Sequence, residues 1–212
     1  MSRGRFIAFE GGEGMGKSTQ ARLLAQALRN DGHEVVLTRE PGGTPGAEAI
    51  RELLLAPPGE GWTLEAEALL FAAARADHVA RQIAPALERG AWVICDRFVD
   101  SSRAYQGIAG GLGDENVMAL HQVGSAGLLP DMTIVIDAPS QAVSERLAER
   151  DGETSDAIGG RAAAYHATVN AAFLDFARAT PERFAVVDGA GTVEQVHARI
   201  LAAVVSLRGK AP

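Results

Sequence analysis

The sequence predicts an α/β fold, a three-layer arrangement with a five-stranded parallel sheet flanked by helices. Two observations carry this expectation. Short apolar runs ending in polar or glycine-rich segments alternate with helical patterns along the whole chain. None of the runs alternates cleanly with polar residues, so each strand should be buried on both faces, as parallel strands are.

The runs are Phe6–Phe9, Val35–Leu37, Trp92–Cys95, Thr133–Ile136 and Phe184–Val187, all β-branched or aromatic in character. Between the first two, Ser18–Arg29 repeats Leu23, Leu24, Ala27 and Leu28 at helical spacing, and Asn30-Asp31-Gly32 ends it. Glu48–Leu55 is a second helix, stopped by Pro57-Pro58-Gly59. Thr63 caps a long helix running toward Pro85. Asp114–Ser125, Ser140–Arg150, Arg161–Ala179 and Thr192–Leu207 complete the helical set. No repeat or linker divides the chain, so a single domain spanning residues 1–212 is expected. Its one polar, glycine-containing stretch is Asp151–Gly160.

Composition narrows the function classes. Hydrophobic residues make up 47% of the 212, enough for a buried core. The N-terminal residues run straight into an apolar strand without a signal-peptide pattern, and no apolar run is long enough to span a bilayer. The single cysteine, Cys95, excludes a disulfide framework and a multi-cysteine zinc site, and its place inside a strand suggests an inert buried thiol. These features point to the cytoplasm. A net charge of −7 argues against nucleic acid or anionic membrane as the main partner. The five histidines have no metal-ligand spacing and read as surface or packing residues.

Residues 11–18, Gly11, Gly12, Glu13, Gly14, Met15, Gly16, Lys17 and Ser18, match G-x-x-x-x-G-K-S/T between a strand and a helix. Glycines let such a loop wrap tightly, so that successive N–H groups point at phosphate oxygens, and the helix N-terminus adds partial positive charge. Lys17 would neutralise the β- and γ-phosphates of ATP, the Ser18 hydroxyl would coordinate Mg²⁺, and Thr19 would complete the nucleotide contacts. The fold is therefore expected to be that of P-loop NTPases. The loop alone leaves the task open among GTPases, motor ATPases and small-molecule kinases. No N-K-x-D element for guanine is present, and Asp188-Gly189-Ala190-Gly191 reads as a turn.

Further segments carry a family resemblance. Thr38-Arg39-Glu40-Pro41-Gly42-Gly43 resembles the loop after the second strand of thymidylate kinases. Asp96-Arg97-Phe98, followed by Ser101, Ser102, Ala104, Tyr105 and Gln106, resembles that family's D-R-F/Y/H-x-x-S-x-x-A-Y-Q segment. The Phe71-to-Arg75 stretch is similar too, and the order holds from about Phe6 to about Leu207. The resemblance implies transfer of the γ-phosphate of ATP to dTMP, giving dTDP and ADP, with Mg²⁺, usually in a homodimer.

It also implies roles. Arg39 and Arg97 hold the acceptor phosphate, Arg75 reaches the thymine edge, and Phe71 stacks on the base. Ser102 and Gln106 hydrogen-bond the base, Tyr105 covers the sugar, and Glu13 lies near the 3′-hydroxyl and the reacting centre as a catalytic candidate. Pro41 falls in an unusual turn, flagged for a cis bond, and Asp96 is the carboxylate expected to hold Mg²⁺ through water. From the residues alone, Phe71 reads equally as core and Arg75 as a solvated arginine, whereas for Arg97 the D-R motif favours function over a structural ion pair with Asp96. Guanidinium groups at strand ends nevertheless suit phosphate, since they keep their charge and grip it with paired hydrogen bonds.

The sequence departs from the family in one place. Gly14 stands where one branch carries a P-loop arginine, which resembles the other, largely bacterial branch, in which a lid, here at about residues 146–161, supplies the arginine. The family lid often reads D-R-I/F-E; here Asp156-Ala157-Ile158-Gly159 lacks both the arginine and the glutamate. Arg150 and Arg161 are the catalytic candidates to replace it, with Arg146 on the ATP, while Arg161 reads equally as a first-turn surface residue. Competing classes are another nucleoside monophosphate kinase, a regulatory ATPase and a non-catalytic binding protein.

Overall fold

A computed structural model describes residues 3–138 and 159–208. Five strands form one parallel sheet in the order β2-β3-β1-β4-β5. They are β1 (Phe6–Glu10), β2 (Val35–Arg39), β3 (Trp92–Asp96), β4 (Met132–Asp137) and β5 (Phe184–Asp188). Each expected run is a strand, lengthened by one or two residues, and β1 is buried along its whole length.

Alternating residues of the strands face two helical layers. Ile7, Phe9, Ile94, Ile134 and Ile136 pack against Leu24 and Leu28 of α1 (Lys17–Asn30) and against Ile200 and Val204 of the C-terminal helix α8 (Val193–Arg208). Phe6, Ala8, Val93 and Cys95 face the other way, onto Val79, Ile83, Leu87 and Phe98. Val135 joins Tyr105, Phe173 and Phe176 farther along that second face. Each such large side chain contributes about 1.5–3 kcal/mol by leaving water, so the sheet centre is the stable part of the fold.

Helix α2 (Pro45–Leu55) starts three residues before the expected Glu48, because Thr44 caps it through the Ala47 N–H and Pro45 suits its first turn. Thr63 does cap α3 (Leu64–His78), but the α-helix ends at His78. A π-helical turn, Val79–Ile83, then leads into α4 (Ala84–Glu88), which carries Pro85 in its first turn. A proline removes a backbone donor, so the ladder must shift there.

After β3 a short helix α5 (Val99–Ser102) passes into a π-helical stretch, Arg103–Ala109, which the sequence reading had not assigned. Among the described residues the remaining helices are α6 (Asp114–Ser125) and α7 (Ala163–Ala179). Arg161 precedes α7 by two residues instead of opening it. The expected helix Ser140–Arg150 lies outside the described residues. The Asp188–Gly191 segment is a turn, closed by the Ala190 N–H on the Asp188 carboxylate at 2.9 Å. Among the described residues no helix is long and apolar enough to cross a membrane.

Candidate active site

The site is assembled at the carboxyl edge of the sheet, where β1, β2 and β3 end together. Register places Phe9 beside Asp96 and Arg39 beside Asp96 on the two sides of β3. Following β1, the loop turns through Gly11, Gly14 and Gly16, all at positive φ. A Cβ on Gly11 would lie 2.5 Å from the Ile136 carbonyl oxygen, so the loop passes too close to β4 for any side chain. Met15 is buried in the core and anchors the loop from beneath. The Lys17 ammonium donates to the Gly12 carbonyl inside the loop. Burial, and then the neighbouring Arg97 charge, lowers the Lys17 pKa to about 7. Phosphate oxygens at this loop would restore its full charge.

Ser18 donates its hydroxyl to Asp96 Oδ2. A hydroxyl beside a carboxylate is a hard-oxygen donor set, which suits Mg²⁺ when the remaining ligands are phosphates and water. Among the described residues no cluster of three or more His, Cys, Asp or Glu side chains could hold a metal by itself.

Arg97 has φ +69, a left-handed conformation unusual for a residue with a side chain. Its guanidinium donates to the Gly11 carbonyl (3.3 Å), Ser101 Oγ (3.0 Å) and Tyr105 Oη (3.4 Å), and lies 5.3 Å from the Tyr105 ring centre. The arginine that follows β3 therefore touches the loop that follows β1.

Glu10, which the sequence reading missed, holds this turn in place. It is fully buried and accepts from the Phe98 N–H (2.8 Å), the Ser101 N–H (3.0 Å) and the Ser101 hydroxyl (2.6 Å). Burial pushes its carboxyl up to about 7, against the pull of Arg97 4.0 Å away. An acidic residue closing an apolar strand was the available signal.

Arg75 is not a solvated arginine. It is buried, donating to Glu40 Oε2 (2.7 Å), Ser102 Oγ (2.9 Å) and the Phe98 carbonyl (3.5 Å). Glu40 also meets His78 Nδ1 at 3.1 Å, and His78 Nε2 meets Thr38 Oγ1 at 2.8 Å. His78 thus has a polar positioning role that the reading of the histidines as surface or packing residues did not foresee. The Glu40–Pro41 peptide is cis, as flagged.

Gln106 is buried and donates Nε2–H to Glu67 Oε1 at 2.8 Å. Phe71 is half-buried one turn along α3 from Glu67. Arg39 stands apart from the buried pair, on the exposed rim, with both Glu48 oxygens 3.0 Å from its Nη2. Arg161 donates to Glu67 Oε2 and to the Tyr165 hydroxyl, which in turn donates to the Tyr105 carbonyl at 2.6 Å. Glu13 is half-buried in the loop. Arg146 and Arg150 lie outside the described residues.

Cys95 is buried as expected, and burial raises its thiol well above the usual range. Asp100 contributes something unforeseen. It is buried between Arg103 and Arg183, accepting at 2.7–3.0 Å from both, and so ties α5 to β4 and β5.

A parallel sheet whose first loop has the phosphate-binding glycine pattern, with the Arg97 guanidinium from the end of the neighbouring strand reaching that loop, defines a P-loop phosphotransferase for a small anionic acceptor. Comparison with known proteins then gives the family. Residues 9–200 match the thymidylate kinase family, and the chain belongs to it. It is 54% identical over 204 residues to a thymidylate kinase of Rhizorhabdus wittichii, covering 96% of this chain and 98% of that one. Identity is 53% to a thymidylate kinase of Symbiobacterium thermophilum, covering 91% and 88% of the two chains. It is 44% to one of Caulobacter vibrioides, covering 99% and 100%.

Proposed function

We propose that this protein transfers the γ-phosphoryl group of ATP to dTMP, with Arg97 as the residue on which donor and acceptor phosphates meet. The supporting observation is the reach of Arg97 from the end of β3 to the Gly11 carbonyl of the phosphate loop. A phosphate oxygen of dTMP attacks the γ-phosphorus. The bond to the β–γ bridging oxygen breaks, and ADP leaves with the electron pair. The attacking oxygen is already anionic, so positioning and charge compensation dominate over general-base help.

In this reading Lys17 and the loop N–H groups hold the donor. Arg97 and Arg39 hold the acceptor phosphate, and Arg75 with Ser102 and Gln106 reads the base beside Phe71. Tyr105 covers the sugar, and Pro41 lies at the acceptor mouth. Ser18 and Asp96 would hold Mg²⁺, which supplies charge neutralisation at the β- and γ-phosphates. Arg146 is the candidate on the ATP, and Arg150 and Arg161 are the candidates to replace the absent lid arginine.

The same reading includes a single catalytic domain working in the cytoplasm as a homodimer. Leu53, Leu69 and Val123 are exposed large apolar side chains on α2, α3 and α6, and α3 packs against both of the other helices. Such a surface suits a second copy of the chain. The deciding assay is ADP release from ATP and Mg²⁺ with dTMP, dUMP, UMP, CMP, GMP or AMP as acceptor. Preference for dTMP is the expected result, and no stimulation by any monophosphate would overturn the reading.

A further inference from the structure

We infer that Glu67, locked by Arg161, sets which face of the Gln106 carboxamide reads the base, and so fixes selectivity for thymine over cytosine. The inference rests on the proposed acceptor site and deepens it.

The argument starts from hydrogen-bond inventory. A carboxylate only accepts, whereas a carboxamide has one accepting and one donating end. Gln106 Nε2 lies 2.8 Å from Glu67 Oε1. The opposite rotamer would set a carbonyl oxygen against a carboxylate oxygen, two acceptors with no proton between them. Glu67 therefore forces the amino end toward itself and leaves Gln106 Oε1 to face the base. Arg161 occupies the other carboxylate oxygen, and Tyr165 supports Arg161 from beneath its guanidinium, 4.8 Å from the ring centre. The carboxylate can neither rotate away nor lose its charge partner without breaking this set.

An accepting atom at Gln106 complements thymine, whose N3 carries a proton. Cytosine presents an unprotonated N3 there, and two acceptors would meet. Arg75 acts in the same sense, because a guanidinium donates to the O4 of thymine and opposes the amino group of cytosine. Arg75 alone would discriminate at one atom of the base edge. Glu67 extends the discrimination to the next atom without touching the base, which makes it a positioning residue.

Glu67→Gln gives an unusually sharp test. Arg161 can only donate, so it would draw the carbonyl end of the new glutamine. The amino end would then face Gln106 and force its carboxamide to turn over. Gln106 would present a donor to the base, the arrangement that suits cytosine N3. The expected result is a fall in the dTMP-to-dCMP ratio of kcat/KM by about 10- to 100-fold. Adding Arg161→Met to Glu67→Gln frees the glutamine to turn back, so the double variant should recover part of the ratio even if its turnover is lower. Glu67→Asp, which keeps a carboxylate, should keep the ratio while raising KM.

A ratio unchanged in Glu67→Gln, or unrecovered in the double variant, would overturn the inference. If a variant does not turn over, calorimetric binding of dTMP and dCMP supplies the same ratio, and equal weakening of the two ligands overturns it. Parent enzyme that shows no dTMP-dependent ADP release would instead defeat the proposed function itself.

Discussion

Arg75 donates its Nε–H to Glu40 at 2.7 Å, and both side chains are almost wholly buried, at 3% and 4% exposure. Charges that far from water persist only when matched, and removing one partner costs about 3–5 kcal/mol. Glu40→Gln should therefore destabilise the fold by roughly 3 kcal/mol and raise KM for dTMP more than it lowers kcat. Urea melts and steady-state kinetics check this, and a variant of parental stability would refute it.

Glu10 links stability to pH. Its ordinary value is 4.5, and the folded protein raises it to about 7, mainly by burial. The fold thus favours the neutral acid, a contribution present at low pH and lost as pH rises through 4.5 to 7. Glu10→Gln keeps the shape without the charge. Its stability relative to the parent should improve across that window and level off above it. Melts at about pH 5 and about pH 8 should give different gaps, and equal gaps would count against the burial argument.

Metal dependence should run through Ser18 and Asp96, which are hydrogen-bonded to each other. Chelation of divalent cations should stop ADP formation, and returning Mg²⁺ should restore it. Asp96→Asn should raise the Mg²⁺ needed for half-maximal rate by about 10- to 100-fold. An unchanged Mg²⁺ titration would remove Asp96 from the metal site.

Two glycines of the phosphate loop should respond differently to alanine. At Gly11 a Cβ would meet the Ile136 carbonyl oxygen at 2.5 Å, while at Gly16 it would meet nothing within 4 Å. Gly16→Ala carries only the left-handed backbone cost, about 1–2 kcal/mol. Gly11→Ala adds displacement of the loop from β4, roughly 1–3 kcal/mol more, and should weaken ATP binding. Thermal melts with and without ATP would expose any reversal of this order.

The exposed apolar side chains of α3 and α6 test the assembly. Val123 is 89% exposed and Leu69 55%. Val123→Lys with Leu69→Lys should convert a dimer into a monomer on sedimentation. A monomeric parent would remove the need for any partner there.

The sheet was readable because burial on both faces writes itself as continuous apolar runs, as in Phe6–Phe9. The phosphate loop was readable because glycine spacing reflects local backbone needs. Glu10, Glu40, Glu67 and Asp100 were harder, since each owes its role to a partner far along the chain. Glu10 meets residues about ninety positions away, and Asp100 meets Arg183 eighty-three positions away. No local period announces such a pairing; only the strand order brings the partners together. The π-helical stretches escaped for a similar reason, because their hydrogen-bond shift leaves the apolar spacing nearly helical.

The adjacency of β1 and β3 has one more consequence. Neighbouring strands are spaced about 4.8 Å apart, and that spacing hardly varies among proteins. The donor loop leaves one of these strands and Arg97 leaves the other, from paired positions at the same edge. In the proposed reaction, the separation between phosphate loop and Arg97 would follow from the hydrogen-bond ladder itself. On that reading the backbone would act as a ruler for the reaction, with side chains making the final adjustment.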